Sequence, residues 1–598
     1  MRLHRTPRRL PLRGRTRISR TRFALAALLV PLFACGTPPE AITTPPSSAS
    51  SASSALPTGP SAAELQALAD AAKAKALADE QKLLEEIAAE YKGLLVAHFP
   101  ETATAIGIHE GDSRLSALDP AGWVAATKAL ESFAARIDEH RKTPGLSVAA
   151  TVDMDALRGS IGAAIVRRSL NEHRNQPSVY AGPMNAVFLL GAREFAPAKV
   201  RAEHALARID GTPAFLATGK VAIGSGDPPK VWVEVGIDRS KSAKSFYASQ
   251  RPWLVAALPG EEKRIDASLA KAVAAYDDFA TFLKKTVLPK AHGSFRAGSE
   301  VFSALVKQDY AVTLSPDEIE AVGRKVFAQT EAEIAKLALE IDPKLGKDPS
   351  KVIAKLKGNH PKENELLDAY RTEVSRARAF LVAKKVVPFP PNDDLQVVET
   401  PVFQRATIQA AYDPPPPFDG VSRGFFFVSP VEKEWGAKQK EEWLRESDHG
   451  DIVDTAVHEA YPGHHLQLSF SRLHPSPVRK ALDTAIFSEG WALYSEELMN
   501  ELGYYTKEER MLQLEWALVR AARVILDVGL HTKGMSVEDA EKFLMEKVHL
   551  ERGLAHNEAR RYSESPTQPL SYMLGRERIF ALREQYLKQP GATLLGFH

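Results

Sequence analysis

The residues best suited to chemistry lie in one short segment that carries three histidines and a glutamate. Zinc hydrolases commonly place two histidines four residues apart on a helix, with a glutamate directly after the first histidine. That spacing points both imidazoles at one metal ion, and the glutamate can then take a proton from water. His458 and Glu459 supply the first half of this pattern, but position i+4 is Pro462, and the next histidines are His464 and His465.

The longer spacing requires a break in the helix. In an undistorted helix His465 faces the same way as His458 but lies about 10.5 Å along the axis, too far to share an ion. Pro462 interrupts the hydrogen-bond ladder, and Gly463 permits unusual backbone angles, so a bulge can absorb two extra residues here. Such a bulge brings His464 to the second ligand position. We therefore predict zinc bound by His458 and His464, with His465 as the alternate to His464.

A third ligand is expected on a downstream helix. Glu489 stands among apolar residues, where a carboxylate is costly unless it is paired or metal-bound. We predict Glu489 as the third ligand. Glu496, two turns further on, is the alternate ligand and a candidate for orienting a ligand imidazole. Asp454, one turn before His458, is another candidate for that orienting role.

A third polar cluster follows near the C-terminus. A peptidase needs a hydrogen-bond donor for the oxyanion that forms on the scissile carbon, and Tyr562 or Tyr572 can supply it. Arg561 can bind a substrate carboxylate through two parallel hydrogen bonds, with neighbouring Arg560 as the alternative. Each of these residues, taken alone, has an equally simple structural role as an alternative.

The elements that position these residues are predicted to be mainly helices. Four sequences have the polar residue and the acid three positions later that form a capping box at the start of a helix. The second of these helices has proline at its first position and is predicted to reach about Ile341. The four predicted capping boxes are Ser61–Glu64, Ser315–Glu318, Thr506–Glu509 and Ser536–Asp539.

Residues 388–430 break the helical pattern. Runs of β-branched and aromatic residues between proline clusters predict a small sheet just before the metal segment. Residues 423–429 read as an edge strand, to which an extended peptide can add as a further strand. Phe425 and Phe427 would then contribute to side-chain pockets. The alternative is that this phenylalanine-rich run fills the core.

The N-terminal residues predict export and lipid anchoring. A basic stretch precedes a 12-residue apolar run that ends before Cys35, the only cysteine, in a sequence that resembles a bacterial lipobox. The Pro/Ser-rich residues that follow predict a tether. Because Gly36 follows the cysteine, we expect the outer membrane, facing the periplasm. The predicted segments are a signal peptide (1–34), lipidated Cys35 with the tether (35–60) and a helical domain (61–598), with 61–390 and 391–598 as candidate lobes.

Charge argues against nucleic-acid binding. The chain has a net charge of +2, but residues 1–34 hold nine arginines and no acid, so the remainder carries −7. No basic face and no RNA-binding motif is apparent. The expected membrane contact is the N-terminal lipid alone, and the sequence leaves the oligomeric state open.

Three motifs carry a resemblance to known families. HEAYPGHHLQ at 458–467, SEGWALYSEEL at 488–498 and RRYSESPTQPLSYMLG at 560–575 resemble the bacterial family called domain of unknown function 885, whose members are often lipoproteins. The resemblance extends roughly from Ala63 to the C-terminus. The family is in turn similar to the helical gluzincin peptidases, which include angiotensin-converting enzyme, thimet oligopeptidase and thermostable carboxypeptidases.

The resemblance implies a large, helical, zincin-like fold of two lobes with a small sheet beside the cleft. It also implies His458, His464 and Glu489 as zinc ligands and Glu459 as general base. The expected function is therefore zinc-dependent hydrolysis of peptide bonds. Two alternatives stay open: a non-catalytic metal-binding lipoprotein that binds peptides, and a metal hydrolase of other amides or esters.

Overall fold

The protein is described by a computed structural model over residues 61–401, 405 and 409–598; the predicted signal peptide, Cys35 and the tether lie outside these residues. The fold is mainly α-helical, as predicted. The helices are α1 (Ala62–His98), α2 (Pro100–Ala105), α3 (Pro120–His140), α4 (Val148–Arg168), α5 (Glu172–Asn175), α6 (Gly182–Ala192), α7 (Ala198–Gly224), α8 (Lys230–Lys241), α9 (Ala243–Ala257), α10 (Glu262–Phe282), α11 (Gly298–Tyr310), α12 (Pro316–Ile341), α13 (Pro349–Leu356), α14 (Leu366–Lys384), α15 (Ala437–Glu446), α16 (His449–Glu459), α17 (His464–Leu473), α18 (Pro477–Lys480), α19 (Ala485–Glu501), α20 (Lys507–Thr532), α21 (Val537–Lys547), α22 (Arg552–Glu564), α23 (Gln568–Leu587) and α24 (Leu594–Phe597).

Residues 69–598 form one compact unit, and the predicted division into lobes at residue 390 stays a prediction. None of the helices in the described ranges is both long and apolar enough to cross a membrane.

The predicted helix starts are present. In the capping box of α12, the backbone N–H of Glu318 donates to the Ser315 hydroxyl, and the N–H of Ser315 donates to the Glu318 carboxylate at 2.8 Å. The helix ends at Ile341, where the sequence placed its end. Equivalent pairs of hydrogen bonds form at the starts of α1, α20 and α21. Local side-chain chemistry therefore determines where these helices begin.

The predicted small sheet is also present, but its strand order corrects one expectation. The strands are β1 (Leu395–Glu399), β2 (Ala410–Asp413) and β3 (Gly424–Val428). β3 is the central strand, parallel to β1 and antiparallel to β2. The prediction of an edge strand at 423–429 is therefore wrong, because both sides of β3 are already hydrogen-bonded. Phe426 is fully buried and packs edge-on against Tyr370, so the phenylalanine-rich run serves the core.

Close packing of glycines fixes the helix that carries the predicted third ligand. A Cβ added to Gly575 of α23 would lie 2.0 Å from the carbonyl oxygen of Ile486 in α19. One added to Gly490 of α19 would lie 2.6 Å from the backbone of Gly575. Only glycine allows this approach. α23 therefore lies directly against the part of α19 that holds Glu489.

Candidate metal centre

The chain between α16 and α17 absorbs two extra residues. The N–H of Gly463 donates to the carbonyl of Val457 at 3.0 Å, and that of Leu466 to Ala460 at 3.4 Å. These bonds span six residues where a regular helix spans four. A Cβ on Gly463 would lie 1.8 Å from the carbonyl oxygen of His458, so this position requires glycine. The bulge expected at Pro-Gly is present, and it turns the i+6 histidine toward His458.

Three side chains converge beyond this break. Nε2 of His464 lies 3.4 Å from Oε2 of Glu489, and Nε2 of His458 lies 3.7 Å from the same oxygen. One ligand atom from each residue lies within 4.8 Å of the others, and the two imidazole planes are nearly perpendicular, at 88°. We call His458, His464 and Glu489 the donor group.

The donor group fits zinc by geometry and by chemistry. Its N···O separations exceed those of a good hydrogen bond. Bonds of about 2.0–2.2 Å in a tetrahedron put two donors roughly 3.3–3.5 Å apart, close to the separations observed. Two imidazoles and one carboxylate are a common ligand set for a hydrolytic zinc, which keeps a fourth position open.

A hydrogen bond at Nδ1, the ring nitrogen that points away from the donor group, fixes the orientation of His458. Its Nδ1 lies 2.7 Å from Oε1 of Glu496, and the other oxygen of Glu496 accepts from Gln513 at 3.0 Å. A carboxylate at Nδ1 favours the tautomer that leaves Nε2 available as a ligand. The structure therefore brings Glu496 to the imidazole as an orienting residue. Asp454 instead accepts a hydrogen bond from Tyr505 at 3.3 Å.

The charges in the donor group are strongly coupled. Burial alone would raise the pKa of Glu489, but the imidazoles of His458 and His464 hold it well below its usual range. Burial would lower the pKa of His458, but the nearby carboxylates of Glu489 and Glu496 raise it to about 10. The metal-free group thus holds a proton that a metal ion has to displace.

The alternate histidine has other partners. Nε2 of His465 lies 2.8 Å from Asp393, and Nδ1 lies 3.0 Å from the hydroxyl of Tyr412. Asp393 also accepts from Tyr461 at 2.6 Å and from Arg378 at 2.8 Å. Both ring nitrogens of His465 are therefore engaged away from the donor group. Sequence reasoning missed Asp393 and Tyr412, which precede the motif by about 50 residues or more and carry no motif of their own.

Glu459, the predicted general base, is the last residue of α16 and is half-buried. Its Oε2 accepts a hydrogen bond at 2.9 Å from the backbone N–H of Tyr412 in β2. The bond between Ser429 N–H and the Gln409 carbonyl sets the alternation of the β2–β3 ladder. By that alternation, Ala410 and Tyr412 point their backbone groups away from β3. β2 is thus one of the two edge strands of the sheet, and its outer side faces Glu459.

The predicted oxyanion donors differ in their surroundings. Burial raises the pKa of the Tyr572 hydroxyl, and the charge of Glu489 raises it further, so the hydroxyl stays a donor at neutral pH. Tyr562 is fully buried, and its hydroxyl donates to Glu558 at 2.6 Å. Of the two tyrosines, Tyr572 is therefore the one whose pKa is affected by a carboxylate of the donor group.

The predicted carboxylate-binding arginines are already paired. Arg561 donates to both oxygens of Glu558, at 3.1 and 2.9 Å, and Arg560 donates to Asp238 at 3.0 Å. Arg523 also donates to Glu558, at 2.9 Å. A substrate carboxylate would have to compete with a protein carboxylate at either position, and the carboxylate-binding role of Arg561 or Arg560 stays a prediction.

Comparisons with other proteins place the fold. The family described as "Bacterial protein of unknown function (DUF885)" matches residues 100–598. No curated protein matches the chain. Two solved structures resemble it, each described as a "putative lipoprotein". The first, of unknown function from Shewanella oneidensis, has a TM-score of 0.71 at 25% identity and covers 87% of this chain and 96% of its own. The second, from Colwellia psychrerythraea, has a TM-score of 0.73 at 20% identity and covers 87% and 95%.

Proposed function

We propose, from the premise that this chain belongs to the DUF885 family of bacterial proteins, that it is a zinc-dependent hydrolase of peptide bonds. The observation that carries the proposal is the donor group with Glu459 directly after its first histidine. The likeness to helical gluzincin peptidases is part of the same proposal. Short peptides are the expected substrates.

Each residue of the donor group and its surroundings can be given a role in peptide hydrolysis. Zinc, when bound by His458, His464 and Glu489, supplies the Lewis acidity that activates water and polarises a carbonyl. Glu459 has Oε2 fixed by the Tyr412 N–H, so Oε1 is the atom to accept the proton of the attacking water. That proton passes to the leaving amine as the new C–O bond forms and the C–N bond breaks. The Tyr572 hydroxyl donates to the developing oxyanion.

The edge of β2 is the proposed place for the substrate backbone. Ala410 directs its N–H and C=O outward beside Glu459, and Tyr412 directs its C=O outward while Glu459 holds its N–H. An extended peptide can therefore add there as a further strand through the remaining groups. Addition of the substrate as a β-strand is thus still proposed, but at the edge of β2 and not at β3, where the sequence predicted it. A main-chain interaction of this kind favours peptides over other amides and esters.

The test separates metal binding from catalysis. Zinc-loaded wild type is expected to cleave members of a peptide library, and Glu459→Gln is expected to keep one zinc per chain while losing roughly 10²–10⁴-fold in cleavage rate. Wild type that binds zinc but cleaves no peptide would overturn the peptidase proposal in favour of a non-catalytic metal-binding protein. A Glu459→Gln variant with full activity would remove Glu459 as general base.

Lipid anchoring at Cys35 is a second part of the proposal, supported by the lipobox-like sequence and by the description of the two similar structures. Cys35→Ser is expected to move the protein from the membrane fraction to the soluble fraction. If that variant still sediments with membranes, the anchor is not the lipid at Cys35.

A further inference from the structure

A small pocket of about 150 Å³ opens between α16, α20 and the start of β2. Ala410 and Glu459 line it on the side of the proposed catalytic residues, and Trp516 and Arg520 line it on the side of α20. His458 also reaches it. We call it the Arg520 pocket. A group bound here therefore lies beside both the general base and the edge of β2.

Arg520 is the one charged group in this pocket that lacks a partner. Its Nε and Nη1 are buried, and neither has a hydrogen-bond partner among residues 61–401, 405 and 409–598. Over the same residues, no carboxylate lies within 4.0 Å of its nitrogens, although its charge acts on Asp454, which also lines the pocket. A guanidinium cannot lose its charge, and buried donors without partners are costly. Such a residue is most simply explained by an anionic ligand.

Arg520 is held in position by stacking on Trp516, and its Nε and Nη1 make no hydrogen bond with the described residues. The guanidinium lies 4.6 Å from the ring centre of Trp516, one helical turn earlier. The indole N–H of Trp516 donates to Asp451 at 3.0 Å, which fixes the ring. Asp451 and Asp454 also line the pocket; burial raises the pKa of Asp451 to about 8 and that of Asp454 well above its usual range, so burial disfavours negative charge on both. Stacking therefore presents the guanidinium while leaving its N–H groups for a ligand.

Resting on the proposed peptidase function, we propose that Arg520 recognises a carboxylate of the peptide substrate. The planar guanidinium matches a carboxylate, and the pocket holds one acidic group or chain end but not a folded segment. The carboxylate is either the C-terminus of the peptide or an Asp or Glu side chain near the scissile bond. Arg520 thus takes the role that the sequence assigned to Arg561.

The experiment compares matched peptides on zinc-loaded full-length protein. A peptide that wild type cleaves is made as free acid and as C-terminal amide, and with Asp or Asn at each position flanking the cut. Wild type is expected to prefer one carboxylate by roughly 10- to 100-fold in kcat/KM. Arg520→Gln is expected to reduce that preference to within about twofold at unchanged zinc content, whereas Arg520→Lys should keep part of it. Arg561→Gln is the control and should keep the wild-type preference.

Several outcomes would overturn the assignment. An unchanged preference in Arg520→Gln, or its loss in Arg561→Gln, excludes recognition by Arg520. Equal loss of rate on charged and neutral peptides would make Arg520 an oxyanion or structural residue instead. If amidation of the C-terminus lowers kcat/KM more than the Asp-to-Asn exchange does, Arg520 binds the C-terminal carboxylate. The reverse result means that it binds a side-chain carboxylate.

A binding measurement keeps the assignment testable if the peptidase proposal fails. Calorimetry with zinc-loaded Glu459→Gln, with and without Arg520→Gln, is run on an acetylated tripeptide as free acid and as amide. Tighter binding of the free acid or of an Asp-containing tripeptide that depends on Arg520 supports carboxylate recognition even when nothing is cleaved. Binding of none of them, in protein whose melting curve matches wild type, rejects it.

Discussion

Two regions of this molecule combine histidine with carboxylates and use them differently. In the first, the donor group, the Nε2 atoms of two histidines face one carboxylate at 3.4 and 3.7 Å. In the second, His109 lies between two acids: Nδ1 is 2.9 Å from Asp112, and Nε2 is 2.7 Å from Asp419. The second region joins positions 310 residues apart in the sequence.

The difference lies in which ring nitrogens are already engaged. Burial lowers the pKa of His109, but its hydrogen bonds to Asp112 and Asp419 raise it to about 9. Both ring nitrogens are held by these acids, so neither is available to bind a metal ion. Its face stacks on Phe195, with ring centres 3.6 Å apart. In His458, by contrast, Nδ1 is hydrogen-bonded to Glu496, and Nε2 faces the other two members of the donor group. A histidine with both nitrogens engaged links segments of the structure, whereas one with a single nitrogen engaged keeps the other for the proposed metal ion.

The largest effect is expected on removing a member of the donor group. His464→Ala and Glu489→Ala should each weaken zinc binding by roughly a thousandfold, because a zinc binding energy of about 10–16 kcal/mol is shared among few ligands. Metal analysis of purified protein after dialysis measures this. His109→Ala is the matched control and should retain about one zinc per chain, the content expected of wild type. Zinc retained in both donor-group variants would break the comparison.

Glu496→Gln should have an intermediate effect. The amide keeps the shape but removes the negative charge that favours the correct tautomer of His458. We expect zinc affinity to fall by roughly 10- to 100-fold, measured by competition with a chelator of known affinity. Affinity equal to wild type would mean that Glu496 is not needed to orient the imidazole.

His465→Ala should behave like a change in a structural link. Asp393 and Tyr412 lose a buried partner, so the free energy of unfolding should fall by about 2 kcal/mol while zinc content is kept. Denaturant unfolding and metal analysis on the same preparation measure both. Loss of zinc here, with zinc kept in His464→Ala, would exchange the two histidines as ligands.

The smallest effect is expected at His109 and depends on pH. The folded pKa of about 9 lies above the usual value of about 6.5 in an unfolded chain. The stabilisation is therefore fully present below pH 6.5 and is lost as pH rises through about 9. His109→Gln should cost about 1 kcal/mol at pH 6, since the ring is 27% exposed and partly screened, and much less at pH 9.5.

Denaturant unfolding at the two pH values measures the effect of His109. His292, 81% exposed beside Asp227, supplies the control, because His292→Gln should change stability little at either pH. If His109→Gln lowers the free energy of unfolding equally at pH 6 and pH 9.5, packing on Phe195 and not the charge of the ring accounts for the stabilisation.

Features that depend on contacts between residues close in sequence can be predicted from the sequence, and features that depend on distant segments cannot. Helix starts such as Ser315–Glu318 depend on neighbours three residues apart and are predicted to the residue. The pairing of Arg561 with Glu558 was also visible, since the two stand one turn apart in α22. The central place of β3 could not be predicted, because strand order depends on distant segments of the chain.

The site shows the same limit. Motif spacing led to His458, His464 and Glu489, and the structure brings these three together. Arg520 was missed, although a tryptophan and an arginine one turn apart on an otherwise apolar helix face were a readable signal. What distinguishes Arg520 from Arg523 is that Glu558 neutralises only the second, and that depends on how α22 packs against α20.

The break between α16 and α17 has a consequence for the order of assembly. Since the three donors stand on three separate helices, no single segment of the chain can chelate an ion by itself. The apolar clusters around α16 and α20 hold these helices together by contacts that need no ion, so we expect them to supply most of the driving force for folding. The expected apoprotein is a folded receptor that gives up and regains its ion reversibly, unlike a zinc finger, which unravels when stripped.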